Sequence, residues 1–338
     1  MRLSIIIPLY NVEKYVSTCL DSILNQGLNE KEYEILIIND GSTDNSLEIV
    51  ENFEQKYSHI HVYSKKNGGV GSARNKGIDL AKGQYIYFID PDDYLADNVL
   101  EIILYYAEKN NLQILAFSSL GTTKTDINKS QTSNAKSLPI QIFNGREYIA
   151  SFSFKNEIWW YIINRDFLNE IPLRFIEDRW MEDAIFTGNI LLKAERISKL
   201  DIDAHRHVKV EGSAMTSKEP SHYLKVINDN ANAALMYKPL IEGLEKNEEN
   251  KVCIERLKAR QQSFVFFLMI RMLKSTIKFD KVKKTITNMN NIGAYPLNAF
   301  IGKDYNGFVY TLLVKLFNIK RIYYMLFLIS NPILKLKR

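Results

Sequence analysis

Three aspartates within four residues form the densest group of chemically capable side chains in this sequence. The segment Asp90-Pro91-Asp92-Asp93 directly follows an apolar run over residues 84–89. Carboxylates this close repel one another unless a cation or strong hydrogen-bond donors neutralise them. Their oxygens suit a hard divalent ion such as Mn²⁺ or Mg²⁺. The alternative is an acidic turn before a helix near Asn98; the position after a buried strand favours the ion site.

A second candidate is the glycine-rich basic segment 65–75, KKNGGVGSARN. Glycines allow close backbone approach, and Ser72 is predicted to cap a following helix with Arg74 in its first turn, which favours anions. Lys66 and Arg74 make a phosphate-facing role a better interpretation than a loop that simply turns. Arg74 stands where the third glycine of a dinucleotide-binding fingerprint would fall, and the segment follows the third strand, so a nicotinamide-dependent dehydrogenase is excluded.

The elements that must position these groups follow from hydrophobic periodicity. Short apolar runs predict strands, and the segments between them have apolar residues at helical spacing. The predicted strands are 3–8, 34–39, 61–64, 84–89 and 113–118, and the predicted helices are 12–26, 46–56, 72–81 and 98–109. This alternation predicts an α/β fold with a mostly parallel sheet flanked by helices.

Polar clusters follow three of the predicted strands. They are residues 8–11, residues 39–44 and the aspartates at 90–93. The carboxyl ends of parallel strands share one edge of a sheet, and ligands bind in the crevice there. We therefore expect the three clusters to converge.

The rest of the chain predicts a second region of different character. Residues 121–138 are rich in Thr, Ser, Asn and Lys and are predicted to form a mobile loop, and the pattern is helical from about His222 onward. We predict a catalytic domain at 1–217 and a helical region at 218–338 that contacts a membrane or a partner.

Composition excludes several classes of protein. The 338 residues are 46% hydrophobic with a net charge of +5, which is typical of a globular protein and does not indicate a nucleic-acid partner. Cys19 and Cys253 are far apart and predict neither a disulfide framework nor a zinc site, so we expect buried thiols in the reducing cytosol. No apolar stretch approaches the roughly 20 residues that a spanning helix needs.

Four motifs in order resemble family 2 glycosyltransferases, which are inverting enzymes of the GT-A fold. The motifs are Ile5-Ile6-Ile7-Pro8-Leu9-Tyr10-Asn11, Ile37-Ile38-Asn39-Asp40-Gly41-Ser42-Thr43-Asp44, Asn67-Gly68-Gly69 with Ala73-Arg74-Asn75, and Phe88-Ile89-Asp90-Pro91-Asp92-Asp93. The resemblance is close over residues 3–120 and weakens to isolated blocks up to about 216.

The resemblance implies a nucleotide-sugar donor, expected to be a UDP-sugar, and a bound Mn²⁺ or Mg²⁺. It places Asp92 and Asp90 on the metal. It implies a donor-binding set near the base, ribose and phosphates: Pro8, Tyr10, Asn11, Glu13, Asp40, Lys66, Gly69, Arg74, Asp90 and Pro91.

The family also has a catalytic acidic residue at the start of a later helix, where this chain has Glu182-Asp183. An inverting transfer needs a single base to deprotonate the acceptor hydroxyl. Adjacent helical residues point about 100° apart, so we assign Asp183 as the base and Glu182 to the acceptor side. The alternative is that both merely favour a helix N-terminus.

Aromatic and histidine residues are further candidates. Trp159 and Trp160 suit the acceptor side, because aromatics stack on sugars, although at least one is expected in the core. His205 and His207 would face one side of a strand and contact a metal or phosphate, or simply lie on a surface strand. They precede Glu211-Gly212-Ser213, which resembles a family segment beside the donor phosphates.

Residues 305–337 mix aromatic and aliphatic residues with lysine and arginine. Such a segment suits the interface of an anionic bilayer; the alternative is a helical subdomain packed on the protein or on a second subunit.

We predict transfer of a sugar to a saccharide or lipid-linked acceptor in surface polysaccharide synthesis, in the cytoplasm or on the inner face of the membrane. The rivals are a nucleotidyltransferase, whose glycine-rich loop should follow the first strand, and a non-catalytic sugar-nucleotide-binding or membrane-docking module. The sugar, the linkage and the oligomeric state are left open.

Overall fold

The computed structural model describes residues 1–132, 138–210, 220–300 and 307–336. The chain forms two compact units: Met1–Tyr148 with Lys155–Glu211, and Ile149–Phe154 with Gly212–Arg338. The boundary predicted at 217/218 and the block at 211–213 lie outside the described residues.

The first unit is built on one sheet. Its strands are β1 (Leu3–Leu9), β2 (Tyr33–Asn39), β3 (Ile60–Ser64), β4 (Tyr85–Phe88), β5 (Tyr94–Leu95), β6 (Ile114–Thr122), β7 (Tyr161–Asn164) and β8 (Ile197–Val208). Their order across the sheet is β3-β2-β1-β4-β7-β6-β8-β5. The pairs β1–β2, β1–β4, β2–β3 and β6–β8 are parallel, while β7 is antiparallel to β4 and β6, and β5 to β8.

Helices flank this sheet and make up the second unit. In the first unit they are α1 (Val16–Leu24), α2 (Ser46–Lys56), α3 (Val70–Leu80), α4 (Leu100–Lys109), α6 (Arg165–Glu170) and α7 (Glu182–Lys193), and α5 (Gly145–Ser151) has residues in each unit. The second unit has α8 (Pro220–Glu242), α9 (Glu248–Lys274), α10 (Phe279–Asn291), α11 (Phe308–Asn318) and α12 (Lys320–Leu336).

The prediction of a mostly parallel α/β fold is confirmed, and burial explains it. Every residue of β1 and of β2 is buried, as expected for strands covered on both faces by helices. Helix α3 approaches β1 so closely that a Cβ at Gly77 would lie 2.4 Å from the Ile6 Cγ2 atom. The glycine is therefore required for this helix to pack on the strand.

Three helices begin at residues other than those predicted. Helix α1 begins at Val16 rather than residue 12, and α4 begins at Leu100 rather than Asn98. Helix α3 begins two residues early, at Val70, after Gly69 with φ of +85°. Ser72 therefore lies inside the first turn and is not the cap. Gly69 takes the cap position, because glycine reaches this positive φ without strain.

The segment predicted to be a mobile loop is partly ordered. Gly121 and Thr122 belong to β6, and residues 123–132 lack regular structure but are tied to β8. The buried Arg206 donates to the carbonyls of Ile127 and Lys129, at 2.9 Å each. Residues 133–137 lie outside the described part of the chain.

The second unit is helical, as its sequence predicts. Its centre is α9, where Phe264, Leu268 and Met269 are fully or almost fully buried. Among the described helices of the chain, none combines the length and apolar character needed to cross a bilayer.

Candidate active site

The first two polar clusters meet at the carboxyl ends of the adjacent strands β1 and β2. The Asn11 side-chain oxygen accepts from the backbone N–H of Thr43 at 2.8 Å, and the Asn11 N–H donates to the Ser42 hydroxyl at 3.3 Å. Asn11 has φ of +52°, a conformation that asparagine tolerates better than most residues. The convergence expected from parallel pairing is present in these two loops.

Other residues of the same two loops lie in distinct environments. Glu13 accepts from both the backbone and the side-chain nitrogen of Asn45, at 3.0 and 2.9 Å. Pro8 is buried in β1, whereas the ring of Tyr10 is 50% exposed. Tyr10 is therefore the aromatic residue of this cluster that a ligand can reach.

Asp40 holds the glycine-rich loop in place. Its buried carboxylate accepts from Lys65 Nζ at 2.6 Å and from the backbone N–H groups of Gly68 and Gly69, at 3.0 and 2.8 Å. Both carboxylate oxygens are thus used by the loop that precedes α3. Lys66 beside it is exposed.

Arg74 joins two carboxylates from distant parts of the chain. Its Nη1 donates to Glu182 Oε1 and its Nη2 to Asp90 Oδ1, both at 2.8 Å. The guanidinium is 4% exposed and its centre lies 5.4 Å from the centroid of the Phe175 ring. Among the described residues, its Nε–H has no hydrogen-bond partner. The sequence predicted a place near the base or phosphates for Arg74 and gave no sign of this bridge.

The segment around Phe175, which sequence reasoning also missed, is clamped to α3. Asn75 Nδ2 donates to the Phe175 carbonyl at 2.9 Å, and the Phe175 N–H donates back to Asn75 Oδ1 at 2.8 Å. A Cβ at Gly71 would lie 2.6 Å from the Ile176 carbonyl oxygen. In the sequence, the motif Ala73-Arg74-Asn75 indicated that Asn75 has a role, but it did not indicate that Asn75 binds the backbone of Phe175.

The aspartates at 90 and 92 have the donor chemistry for a hard cation. Asp90 is 30% exposed, and Arg74 contacts its Oδ1. Burial, together with the charges of Asp90 and Asp93, raises the pKa of Asp92 to about 7. A divalent cation offsets such repulsion and accepts oxygen ligands, so this pair fits Mn²⁺ or Mg²⁺. In the described residues no group of three acidic, His or Cys side chains is arranged to hold an ion. Pro91, between Asp90 and Asp92, is buried.

Asp93 serves a different purpose from its two neighbours. It is 1% exposed, its Oδ1 accepts from the Val208 N–H at 2.8 Å, and His207 Nδ1 lies 3.2 Å from the same oxygen. His205 Nε2 lies 3.3 Å from Asp93 Oδ2. Burial alone would raise the pKa of Asp93, but the adjacent His205 and His207 lower it. The pairing of β5 with β8 brings these residues together.

The two histidines also share an aromatic neighbour. Trp159 stacks on His205 and His207, with ring centroids 4.4 and 5.1 Å apart. Both histidines therefore lie on one side of β8, although only His207 is substantially exposed. Trp159 is 2% exposed and Trp160 is 5% exposed. Neither tryptophan presents an open ring, so the expected stacking on an acceptor sugar has no exposed surface here.

The proposed base stands at the start of α7. Met181 precedes the helix with φ of +66°, a strained conformation that tends to occur at functional sites. Asp183 Oδ1 accepts from the Ala184 N–H at 2.7 Å. Burial raises the pKa of Asp183 well above its ordinary value, the charge of the adjacent Glu182 raises it further, and Arg74 opposes both. A carboxylate with a raised pKa is a stronger base.

Comparison with known proteins places this geometry in context. The family model described as "Glycosyl transferase family 2" matches residues 4–172. The uncharacterized glycosyltransferase EpsJ of Bacillus subtilis is 32% identical over 254 residues, which cover 74% of this chain and 68% of EpsJ. A poly(ribitol-phosphate) β-glucosyltransferase of Bacillus spizizenii is also 32% identical, over 64% of this chain but only 34% of its own length.

Solved structures agree with the fold. TarS 1–349 of Staphylococcus aureus, in complex with UDP-GlcNAc, superposes with a TM-score of 0.64 at 22% identity, covering 96% of this chain and 90% of TarS 1–349. At this identity the likeness concerns the fold alone. The family match extends over strands β1–β7, with the aspartates at 90–93 and the glycine-rich loop among the segments that join them. The chain therefore belongs to glycosyltransferase family 2.

Proposed function

We propose that this chain is a metal-dependent inverting glycosyltransferase that transfers a sugar from a UDP-sugar to a saccharide or lipid-linked acceptor in surface polysaccharide synthesis. The observation that carries the proposal is the bridge from Asp90 through Arg74 to Glu182. It ties the acidic pair Asp90 and Asp92 to the helix start that bears Asp183. A donor-side site and a base are thereby held in one unit.

On the donor side, Tyr10 offers its exposed ring to the nucleotide base, next to Pro8, Asn11 and Glu13. Asp40 acts through the loop it holds, which presents Gly69 and Lys66 to the diphosphate. Arg74 acts from beneath this side by holding Asp90, and Pro91 fixes the spacing of the acids.

Asp92 and Asp90 would hold Mn²⁺ or Mg²⁺ together with the donor phosphates. His207 of β8 contacts Asp93 and would support the acidic segment from that side. Bound there, the cation would supply positive charge to the leaving diphosphate. Asp93 and His205 would not touch the metal. They would position Asp90 and Asp92 by fixing the acidic segment against β8.

On the acceptor side, Asp183 takes the proton from the acceptor hydroxyl. The hydroxyl oxygen forms a bond to the anomeric carbon while the bond from that carbon to the diphosphate oxygen breaks. The nucleoside diphosphate leaves with the electron pair, and the anomeric configuration inverts in this single displacement. Glu182, paired with Arg74, fixes the first turn of α7.

Two comparisons support the choice of substrates. TarS of similar fold was solved with UDP-GlcNAc, and a relative at 32% identity is named as a poly(ribitol-phosphate) β-glucosyltransferase. A polymeric or lipid-linked acceptor would be met in the cytoplasm, at the inner face of the membrane.

Calorimetry with a panel of nucleoside diphosphates and nucleotide-sugars, with and without Mn²⁺, tests the donor site. We expect metal-dependent binding of UDP or a UDP-sugar that Asp92→Ala abolishes. The matched control Asp97→Ala, near the same loop, should leave binding intact. A folded protein that binds no nucleoside diphosphate in the presence of Mn²⁺ would contradict the transferase proposal.

A further inference from the structure

Large exposed apolar side chains are concentrated on α11 and α12. Of the fifteen that are exposed among the described residues, nine lie between residues 308 and 333. They include Phe308 at 81%, Leu328 at 55% and Ile329 at 58% exposed. Single exposed apolar residues are ordinary, but a concentration of them indicates a binding surface.

On α12 these residues occupy one side. Met325, Leu328, Ile329 and Ile333 recur at intervals of three and four, and all are more than half exposed. This spacing places them along one helical face, with the exposed Arg321 four residues before Met325. We call this set, together with Phe308, Val309 and Leu312 of α11, the outer side.

The opposite side of α12 is anchored, so the outer side cannot simply rotate inward. The hydroxyl of Tyr323 donates to the Met269 carbonyl at 3.0 Å. Asn331 Nδ2 donates to the carbonyls of Leu273 and Ser275, at 3.1 and 2.7 Å. These buried contacts with α9 and the residue after it fix the orientation of the helix.

Helix α11 is held in the same way. Phe317 is fully buried, and the hydroxyl of Tyr295 donates to its carbonyl at 2.9 Å. Asn318 Oδ1 accepts from the Leu297 N–H at 2.8 Å. The exposed Phe308 and Leu312 of this helix are therefore left on a fixed surface.

Charge indicates what covers this surface. Residues 305–338 contain six basic side chains and no acidic one: Lys315, Lys320, Arg321, Lys335, Lys337 and Arg338. The start of α10 packs on α12 through Phe279, whose ring lies 5.8 Å from that of Phe327. The segment 278–284, at the start of α10, adds four basic residues (Lys278, Lys281, Lys283 and Lys284) and one acidic residue (Asp280).

A second copy of the chain is a poor occupant, because in a symmetric contact the basic residues of α11 and α12 would meet like charges, with no acidic residue on either helix to pair with them. An anionic bilayer instead matches both the positive charge and the exposed apolar side chains of this surface. Its headgroups attract lysine and arginine, and its acyl chains bury apolar side chains. We propose that the outer side of α11 and α12 docks on an anionic lipid surface. This inference deepens the proposed function, because a lipid-linked acceptor would be presented at that surface.

Co-sedimentation of the full chain with vesicles tests the inference without donor or acceptor. We expect binding to phosphatidylcholine vesicles that contain phosphatidylglycerol, and much weaker binding to phosphatidylcholine alone. The double variant Leu328→Glu with Ile329→Glu should lower the partition coefficient about tenfold or more, because it removes apolar insertion and adds repulsion. The control Leu235→Glu alters a leucine of α8 that is 48% exposed and should bind as the wild type does.

Other outcomes are equally informative. Equal binding of the double variant and the wild type would overturn the inference, as would a wild type that ignores anionic vesicles. A wild type that dimerises and binds no lipid, with a monomeric double variant, would assign the outer side to a second copy and also overturn it. UDP binding, measured on the same samples, reports on the first unit, so loss of vesicle binding alone leaves the transferase proposal standing.

Discussion

Arg74 and Glu182 are 108 positions apart in the sequence, yet their buried side chains meet at 2.8 Å. The same guanidinium holds Asp90 at 2.8 Å, so one residue of α3 connects the acidic loop after β4 with the start of α7. Any change that moves α3 would therefore disturb Asp90 and the start of α7 together.

Removing Arg74 should destabilise the protein through the carboxylates left behind. Arg74→Met leaves Glu182 buried without its partner, which costs about 3 kcal/mol. The double variant Arg74→Met with Glu182→Met replaces the ion pair by apolar groups and should regain most of that loss. Urea unfolding of these two variants and of the single variant Glu182→Met measures the coupling. Additive losses in the free energy of unfolding would show that the bridge contributes nothing to stability.

Asp183→Asn should separate chemistry from donor binding. Asparagine keeps the shape and still accepts from the Ala184 N–H, but it cannot take a proton. We expect kcat to fall about 10²- to 10⁴-fold, while the affinity for UDP in calorimetry stays unchanged. Asp201→Asn, at an exposed position of β8, is the control and should keep full activity. Undiminished turnover by Asp183→Asn would require another base.

The raised pKa of Asp183 predicts a displaced pH profile. Burial and the neighbouring Glu182 and Glu157 raise this pKa, and Arg74 lowers it. Because the base must be ionised, kcat/KM should rise with pH along a limb that lies well above the ordinary aspartate range. Asp183→Glu should move that limb, whereas the control Asp201→Asn should not. A limb at the ordinary carboxylate pKa in the wild type would refute the assignment.

The same shift has a consequence for stability. An acid with a raised pKa in the folded state keeps its proton longer there than in the unfolded chain. Stability is therefore lost as pH rises from the unfolded-state pKa of about 3.9 through the higher folded-state value. Asp183→Asn removes this loss, so its Tm should exceed that of the wild type at neutral pH. The difference should vanish in acid; a Tm gain that is independent of pH would contradict the linkage.

Asp40→Asn should loosen the glycine-rich loop. An amide NH₂ would face one of the N–H donors that the carboxylate now accepts from Lys65, Gly68 and Gly69. We expect about 2 kcal/mol lower stability and weaker UDP binding, because the loop loses its shape. Asp21→Asn, at an exposed position of α1, provides the matched control. Unaltered UDP binding by a folded Asp40→Asn would show that the loop does not need this anchor.

The sequence by itself determined the α/β architecture and the order of the loops that follow its strands. The apolar run predicted at 34–39 lies within a strand that is buried along its whole length, and parallel pairing then brings residues 8–11 beside residues 39–44. Family membership also follows from local motifs. Local spacing did not determine where helix α3 begins, because the φ of Gly69 depends on how the loop is held by Asp40.

Only the tertiary structure decided the partners of the charged side chains. Arginine binds phosphates and carboxylates equally well, so Arg74 could be assigned to either until α7 was placed beside it. Asp90, Asp92 and Asp93 look alike in the sequence, yet the packing of β8 against β5 commits Asp93 to two histidines. The raised pKa of Asp183 and the low exposure of the two tryptophans both depend on which segments cover these residues. Those segments are far apart in the chain and meet only on folding.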